Sequence, residues 1–548
     1  MKARVFVIIA LLALTTAVVA QAQTDPWNNS FRFSSTGSTL EDELDMILGW
    51  YGNLDPARIS TIEGKRLYTN LANFYNKSEL QFHDISASTY LIGGKTDVFG
   101  YGHLGLLYDR YFSEYDTTIS SDSVELFDTD PVPNPGYDVR RTFKKYDRKA
   151  LAQGKADYYL GFARDFDGLK LGLCYLRNQR DSIWTTAGSN DIAYQNIITG
   201  QQTYVSSQKD TGRAGKEWSN NFLGLSVWKP LNDKMDVSLR LSAGFLNITE
   251  YYEKDSTWSE AYPGGDSYST TMNWMLDQKS SGTMFGGGGA FVYKWSDIVK
   301  TRFDVQFEHQ GWKPNDGAMM DYTYSDQDII PAGSSTYIDS TYTDEISGEA
   351  TANDLHFIAM NNVKWQKVEF GIGLSVWTQG YDETEIHKYA QNRTENYQFL
   401  NDPALPASYV RTRSWTETWE EKTTGSDLLL MFPVGVEFNL TKSILFRLGA
   451  RHYMGYSTYT TNNVLTEGSD LITINTRYGD GTTSVGYAPN PLMRETIGES
   501  DEIVGNRSET HFTYGAGWKV TENLHLDFMG FAQLTDLTNW QLSAVFKF

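Results

Sequence analysis

The feature that most constrains this chain is a unit that recurs along it. A strand-length segment alternating apolar and polar residues runs into a very short polar turn, a second such segment follows, and then a long polar stretch. Turns with hairpin composition lie near Gly94-Lys95-Thr96-Asp97, Asp167-Gly168, Leu231-Asn232-Asp233-Lys234, Ser296-Asp297, Gln366-Lys367, Leu440-Thr441-Lys442-Ser443 and Thr521-Glu522-Asn523. Beside them, Val368, Phe370, Ile372, Leu374 and Val376 interleave with Glu369, Gly371, Gly373 and Ser375, and Val237, Leu239, Leu241, Ala243 and Phe245 interleave with Asp236, Ser238, Arg240, Ser242 and Gly244. Successive side chains of a strand point to opposite faces, so this parity makes one face of a large sheet continuously apolar and the other polar and often charged.

A soluble sandwich alternates as well. Here the segments run to about ten residues, longer than the usual five or six, and short turns at one end oppose loops of roughly 30 to 50 residues at the other, as in a transmembrane barrel. Trp295, Trp365, Trp518 and Phe438 carry the apolar parity just before short turns, where an interfacial aromatic belt belongs. Adding an opening strand over Leu67–Tyr75 and a closing strand over Trp540–Phe548 gives about sixteen strands, or fourteen if the weakest pair does not span. The expectation is an all-β fold: a single transmembrane antiparallel β-barrel over residues 65–548 with a short, partly helical N-terminal plug segment over 23–64.

Composition excludes competing classes. After the N-terminus no stretch approaches the roughly 18 apolar residues of a spanning helix, yet 14% of residues are aromatic. A formal charge of −21 argues against nucleic-acid partners. One cysteine, Cys174, excludes an internal disulfide framework and multi-cysteine metal sites. At the N-terminus Lys2 and Arg4 precede an apolar run from Val5 to Val19, and Ala20-Gln21-Ala22 supplies a small-x-small cleavage pattern, so residues 1–22 read as a secretory signal peptide.

Residues 23–64 read differently from the rest. Leu40, Leu44, Ile47 and Leu48 share a helical face behind a Thr39/Asp42 start signal, which predicts a short helix over 40–48 that is sharply acidic through Glu41, Asp42, Glu43 and Asp45. Lys170, Lys294, Lys364, Lys519 and Lys547 carry inward parity near the turn end and are the predicted docking partners of these acids. Inward parity also falls on Arg240, Arg302, Asp304, Glu308, Glu369, Glu437, Arg447, Arg451 and Asp527, the candidate lumen-lining charges. Such charges must be paired or solvated, so the interior is either a wet pore or a salt-bridge lattice.

The stretch Asn53 to Gly64 resembles the opening motif of FadL-type outer-membrane transporters for fatty acids and aromatic hydrocarbons, through Pro56, Ala57, Ile59, Ile62 and Gly64; Arg58 stands where that family prefers Gly. The resemblance implies an N-terminal hatch inside the barrel, passage of hydrophobic ligands, and a lateral exit through a kink in the third strand. A matching break in parity separates Phe99 and Tyr101 from Leu104 and Leu106 around Gly100, Gly102 and Gly105, as a bulge would. Gly286-Gly287-Gly288-Gly289 reads as room for packing. Phe546 and Phe548 resemble the C-terminal signal read by the barrel-assembly machinery, which implies outer-membrane lipid and lipopolysaccharide as surroundings.

Asp128-Thr129-Asp130 and Tyr478-Gly479-Asp480-Gly481 lack the full spacing of a Ca²⁺ loop and read as solvated turns. No His-x-x-x-His pair, Gly-x-Ser-x-Gly or phosphate loop occurs, so neither a catalytic site nor a cofactor is predicted. The sequence thus points to an outer-membrane channel or transporter for small, hydrophobic molecules; the alternatives are a closed-lumen structural or assembly-partner barrel and a general polar porin.

Overall fold

The computed structural model describes residues 30–48, 55–72, 88–127, 139–197, 199–262, 265–315, 319–330, 334–399, 408–468, 471–489, 499–531 and 540–548. The signal-peptide reading, and that of Asp128–Asp130, fall outside them. Nearly everything else is one antiparallel sheet: β1 (Arg66–Ala72), β2 (Ser88–Val98), β3 (Gly102–Phe127), β4 (Val139–Phe166), β5 (Leu169–Asn196), β6 (Gln202–Asn232), β7 (Met235–Ala261), β8 (Ser267–Lys294), β9 (Val299–Pro314), β10 (Met319–Ile330), β11 (Ser334–Trp365), β12 (Val368–Phe399), β13 (Ser408–Asn439), β14 (Ile444–Gly468), β15 (Leu471–Tyr478), β16 (Thr483–Pro489), β17 (Glu499–Lys519), β18 (Leu524–Phe531) and β19 (Trp540–Lys547). Pairing of β1 with β19, from Arg66↔Lys547 to Leu71↔Leu542, closes a ring of 16 strands. Two pieces lie outside the count: β10 continues the line of β9 between β8 and β11, and the β15–β16 hairpin leans on the far half of β13.

Exposure is inside-out relative to a soluble protein. In β7, Leu239 and Leu241 are 63% and 65% exposed while their neighbours Ser238 and Arg240 are 0% and 3% exposed. No water-filled surroundings would favour that arrangement, since each exposed leucine forfeits about 1.5–3 kcal/mol of burial; hydrocarbon does. The apolar parity runs from Val237 to Phe245 and then gives way to Asn247 and Thr249; in β12 it runs from Val368 to Val376 before Thr378, Gly380 and Asp382. Trp295, Trp365 and Trp518 stand exposed at the turn end of this band, as an interfacial belt requires.

Three local expectations give way. The first concerns the predicted loops of 30 to 50 residues, which are mostly strand continued beyond the membrane. β12 has 32 residues, on the order of 100 Å at ~3.3 Å per residue, against an apolar band of ~25 Å. Outside lipid neither face has to be apolar, so the alternation that betrays a strand disappears while the ladder persists.

The second is the turn placed at Gly94–Asp97. Those residues lie inside β2, and the chain reverses at Phe99-Gly100-Tyr101, with positive φ at Phe99 and Gly100. The parity break read as a bulge at Gly100, Gly102 and Gly105 is therefore this reversal. The β2–β3 register runs unbroken from Gly102 through Gly105, and the β3–β4 register from His103 through Gly105, so no register shift marks a third-strand kink there.

The third is the helix start: Asp42, not Thr39, caps the helix Glu43–Leu48 by accepting Leu44 N–H at 2.8 Å, and a further short helix, Phe31–Ser35, precedes it.

Candidate functional site

Residues 30–48 and 55–64 fill the turn end of the barrel, and the hydrophobic core of the molecule lies between them and the wall. Leu44, Ile47, Ile59 and Ile62 pack against the inward Tyr68, Leu91, Leu107, Tyr159 and Cys174; Phe33 packs on Ile358 and Met360; Ala57 packs on Trp228 and Val292. Glycines on the wall make this possible. A Cβ on Gly172 would lie 2.1 Å from Ala57 N, one on Gly435 2.0 Å from Thr36 O, and one on Gly449 2.1 Å from Gly37 N. At these three places the segment's backbone rests directly on strand backbone. Gly105 and Gly161 likewise leave room for Ile59. The inward space at Gly288, by contrast, is taken by Gln306 of the wall itself.

Charge then locks the segment in two clusters that meet at Glu41. In the first, the Glu41 carboxylate accepts from Arg58 at 2.9 and 3.1 Å and from Arg302 at 2.6 Å, while Arg302 also donates to Asp304 at 2.8 Å and Arg240 pairs with the same Asp304. In the second, Arg32 donates to Glu369 at 2.8 Å and to Glu437 at 3.0 Å, and Arg447 bridges Glu437 at 2.8 Å and Asp527 at 2.5 Å. Arg32 Nη1 also donates to the Glu41 carbonyl oxygen at 2.6 Å, which ties the two together. Arg302 and Arg447 are almost wholly buried, so removing either partner would strand a buried charge at a cost of about 3–5 kcal/mol. Asp55 accepts from Ser238 at 2.6 Å, Asn362 donates to Thr39 O at 3.0 Å, and Thr513 donates to Ser35 O at 3.1 Å, so the contacts reach around the wall.

The predicted inward charges are thus largely brought together. Arg240, Arg302, Asp304, Glu369, Glu437, Arg447 and Asp527 belong to the two clusters, and Arg451 reaches Ser38 Oγ at 3.4 Å. Glu308 sits higher and accepts from Gln310 at 2.7 Å.

The predicted acid-to-lysine docking is corrected. Lys294 faces Asp236 and Lys170 faces Asp165, both across their own hairpins, and among the described ion pairs neither Lys364 nor Lys519 meets the segment; only Lys547 approaches Glu43, at 3.9 Å. Glu43 is held instead by Arg66 at 2.6 Å, and Asp45 accepts from Ser30 within the segment. The reason is geometric: lysines beside a turn reach the rim, whereas Arg240, Arg302 and Arg447, deeper along their strands, present a fork to the lumen. Arg32 and Arg58 were not singled out by parity, which assigns faces within the wall and says nothing of groups outside it, and Arg66 opens β1 one residue before the strand expected from Leu67.

Burial sets the ionisation of this segment. It opposes the charge on Glu41, but Arg58 and Arg302 outweigh it and hold that carboxyl well below the usual range. Asp42 lacks such cations: burial, then Asp45 and Asp527, push it up to about 8. Asp45 is pushed up to about 6, chiefly by burial. Elsewhere Asp480 accepts from Thr482 and closes a turn, a structural use of the Tyr478–Gly481 stretch.

Fold and site together define a class: a transmembrane β-barrel with residues 30–48 and 55–64 packed against the inner wall at its turn end. No protein-family model and no curated protein matches the chain. Among solved structures it is similar to a deletion mutant of the TodX monoaromatic hydrocarbon channel (10% identity, TM-score 0.29, 96% of this chain and 100% of that one) and to the Pseudomonas putida toluene transporter TodX (9%, 0.27, 95% and 97%). It is also similar to the siderophore receptor PiuA from Acinetobacter baumannii (10%, 0.23, 89% and 82%). The overlap is wide in coverage and shallow in superposition.

Proposed function

We propose that this protein is an outer-membrane channel or transporter for passive uptake of small molecules, with residues 30–64 acting as a hatch at the periplasmic end. The observation that carries the reading is the contrast between an outward apolar band and an inward face that stays polar above the hatch, through Lys155, Asp157, Arg180, Lys216 and Gln379. These groups pair across strands, Lys155 with Asp109 and Asp157, Arg180 with Asp157 and Lys216 with Glu250, so a polar lattice rather than an apolar core lines the axis above the hatch, and such a lining suits a hydrated path. This lining favours hydrated or amphipathic solutes over the hydrocarbons implied by the FadL resemblance. The second reading, a barrel closed for structural purposes, is favoured by the density of the hatch contacts.

Planar-bilayer recordings separate the two readings. The intact protein is expected to show little steady current and a variant lacking residues 30–64 a large ohmic one, with liposome swelling in small polar solutes following the same order. A hatchless barrel that folds and still passes nothing would leave only the scaffold reading.

A further inference from the structure

Far beyond the membrane, near the tips of β12 and β13, three guanidinium groups converge on one carboxylate. Glu395, almost wholly buried on the inward face, accepts from Arg393 Nε at 2.8 Å and from Tyr397 Oη at 3.2 Å, with Arg413 Nη2 at 3.4 Å and Arg411 Nη1 at 3.6 Å. The last two distances exceed the ~2.7–2.9 Å of a full charge-assisted hydrogen bond. Among the described residues the buried Nε–H groups of Arg411 and Arg413 meet no acceptor. Moreover, Arg393 and Arg413 are directly opposite one another in the ladder, a like-charge pairing that destabilises a sheet.

A chain with 68 acidic and 47 basic residues has carboxylates to spare, yet among the described residues three arginines here share one. Their side chains are about a third exposed and open to the mouth of the barrel. Aromatic and hydroxyl groups surround them: Tyr397 stacks on Tyr409 at 4.4 Å, and Gln391 bonds Ser340 one row below. We infer that Arg393, Arg411 and Arg413 form an external binding site for the oxyanion of a small solute, a carboxylate or a phosphate, with Glu395 as the internal counter-charge that holds the guanidinium groups in place and keeps affinity moderate. The site lies at the mouth, so its occupancy does not require passage through the barrel, and it stands or falls apart from the transport reading.

Isothermal titration of the full-length protein in detergent tests this with three probes: glucuronate, glucose 6-phosphate and glucose. At least one charged probe is expected to bind, and which one tells carboxylate from phosphate; glucose is expected not to. The double variant R411A/R413A should weaken binding by tenfold or more. E395Q, which removes the competing carboxylate, should tighten it several-fold, a gain that misfolding cannot mimic. Binding should weaken as sodium chloride is raised. Absence of binding by both anions, equal binding by the double arginine variant, or weaker binding by E395Q would each overturn the inference.

Discussion

The same wall treats its interior in two ways. Near the turns, inward arginines and carboxylates are matched in bonds of about ordinary length, glycines are placed where another backbone must pass, and apolar side chains interlock. Toward the tips, inward charge is unevenly paired, as at Glu395, whose arginine partners stay about a third exposed. The first pattern suits one fixed occupant, for which complementarity can be optimised; the second suits occupants that change, water or solute, for which residual charge and open space are useful.

Charge reversal should break that contrast most strongly. Replacing Arg302 or Arg447 with Glu places like charges together in a buried cluster, and the hatch is expected to dissociate, with bilayer current rising from near zero to that of the hatchless barrel. An unchanged current in both variants would mean that the clusters do not hold the segment. Glycine substitutions sharpen the comparison at a smaller scale. Gly172→Ala and Gly435→Ala each force a methyl into hatch backbone at about 2 Å and should cost about 1–3 kcal/mol, read as a lower hatch-release temperature and intermittent openings. Gly380→Ala, with nothing within 4 Å, should leave both readouts as in the intact protein.

The smallest effect is on pH. Because Asp42 sits at about 8 in the folded state and near about 3.9 when unfolded, its protonated form stabilises docking, fully so in acid. That contribution is lost as pH rises through about 8. Openings should therefore become more frequent as pH rises from about 4 toward about 8 and level off above that, and Asp42→Asn, which keeps the helix cap and cannot ionise, should flatten the profile. A profile identical in the variant would assign the dependence to another group.

Much of this was legible in the sequence. Parity alone placed Leu239 outward and Arg240 inward, and the position of Trp295, Trp365 and Trp518 before short turns marked the membrane edge, because lipid imposes those rules residue by residue. What remained hidden was long-range. Arg32 and Glu437 are 405 positions apart, and nothing local to either says that they meet. The reversal at Phe99–Tyr101 was misread because a bulge and a tight turn both switch parity, and only pairing tells them apart. Beyond the membrane the wall went unseen, since a strand wetted on both faces needs no alternation.

The closing pair of strands has a consequence for how the molecule is put together. β1 begins two residues after Gly64, and its partner β19 is the last strand of the chain. The seam that completes the cylinder therefore lies beside the base of the hatch. The hatch also braces that seam from within, since Glu43 is held by Arg66 of β1 and lies 3.9 Å from Lys547 of β19. A barrel that loses its hatch therefore also loses the carboxylate shared by the two strands that close it.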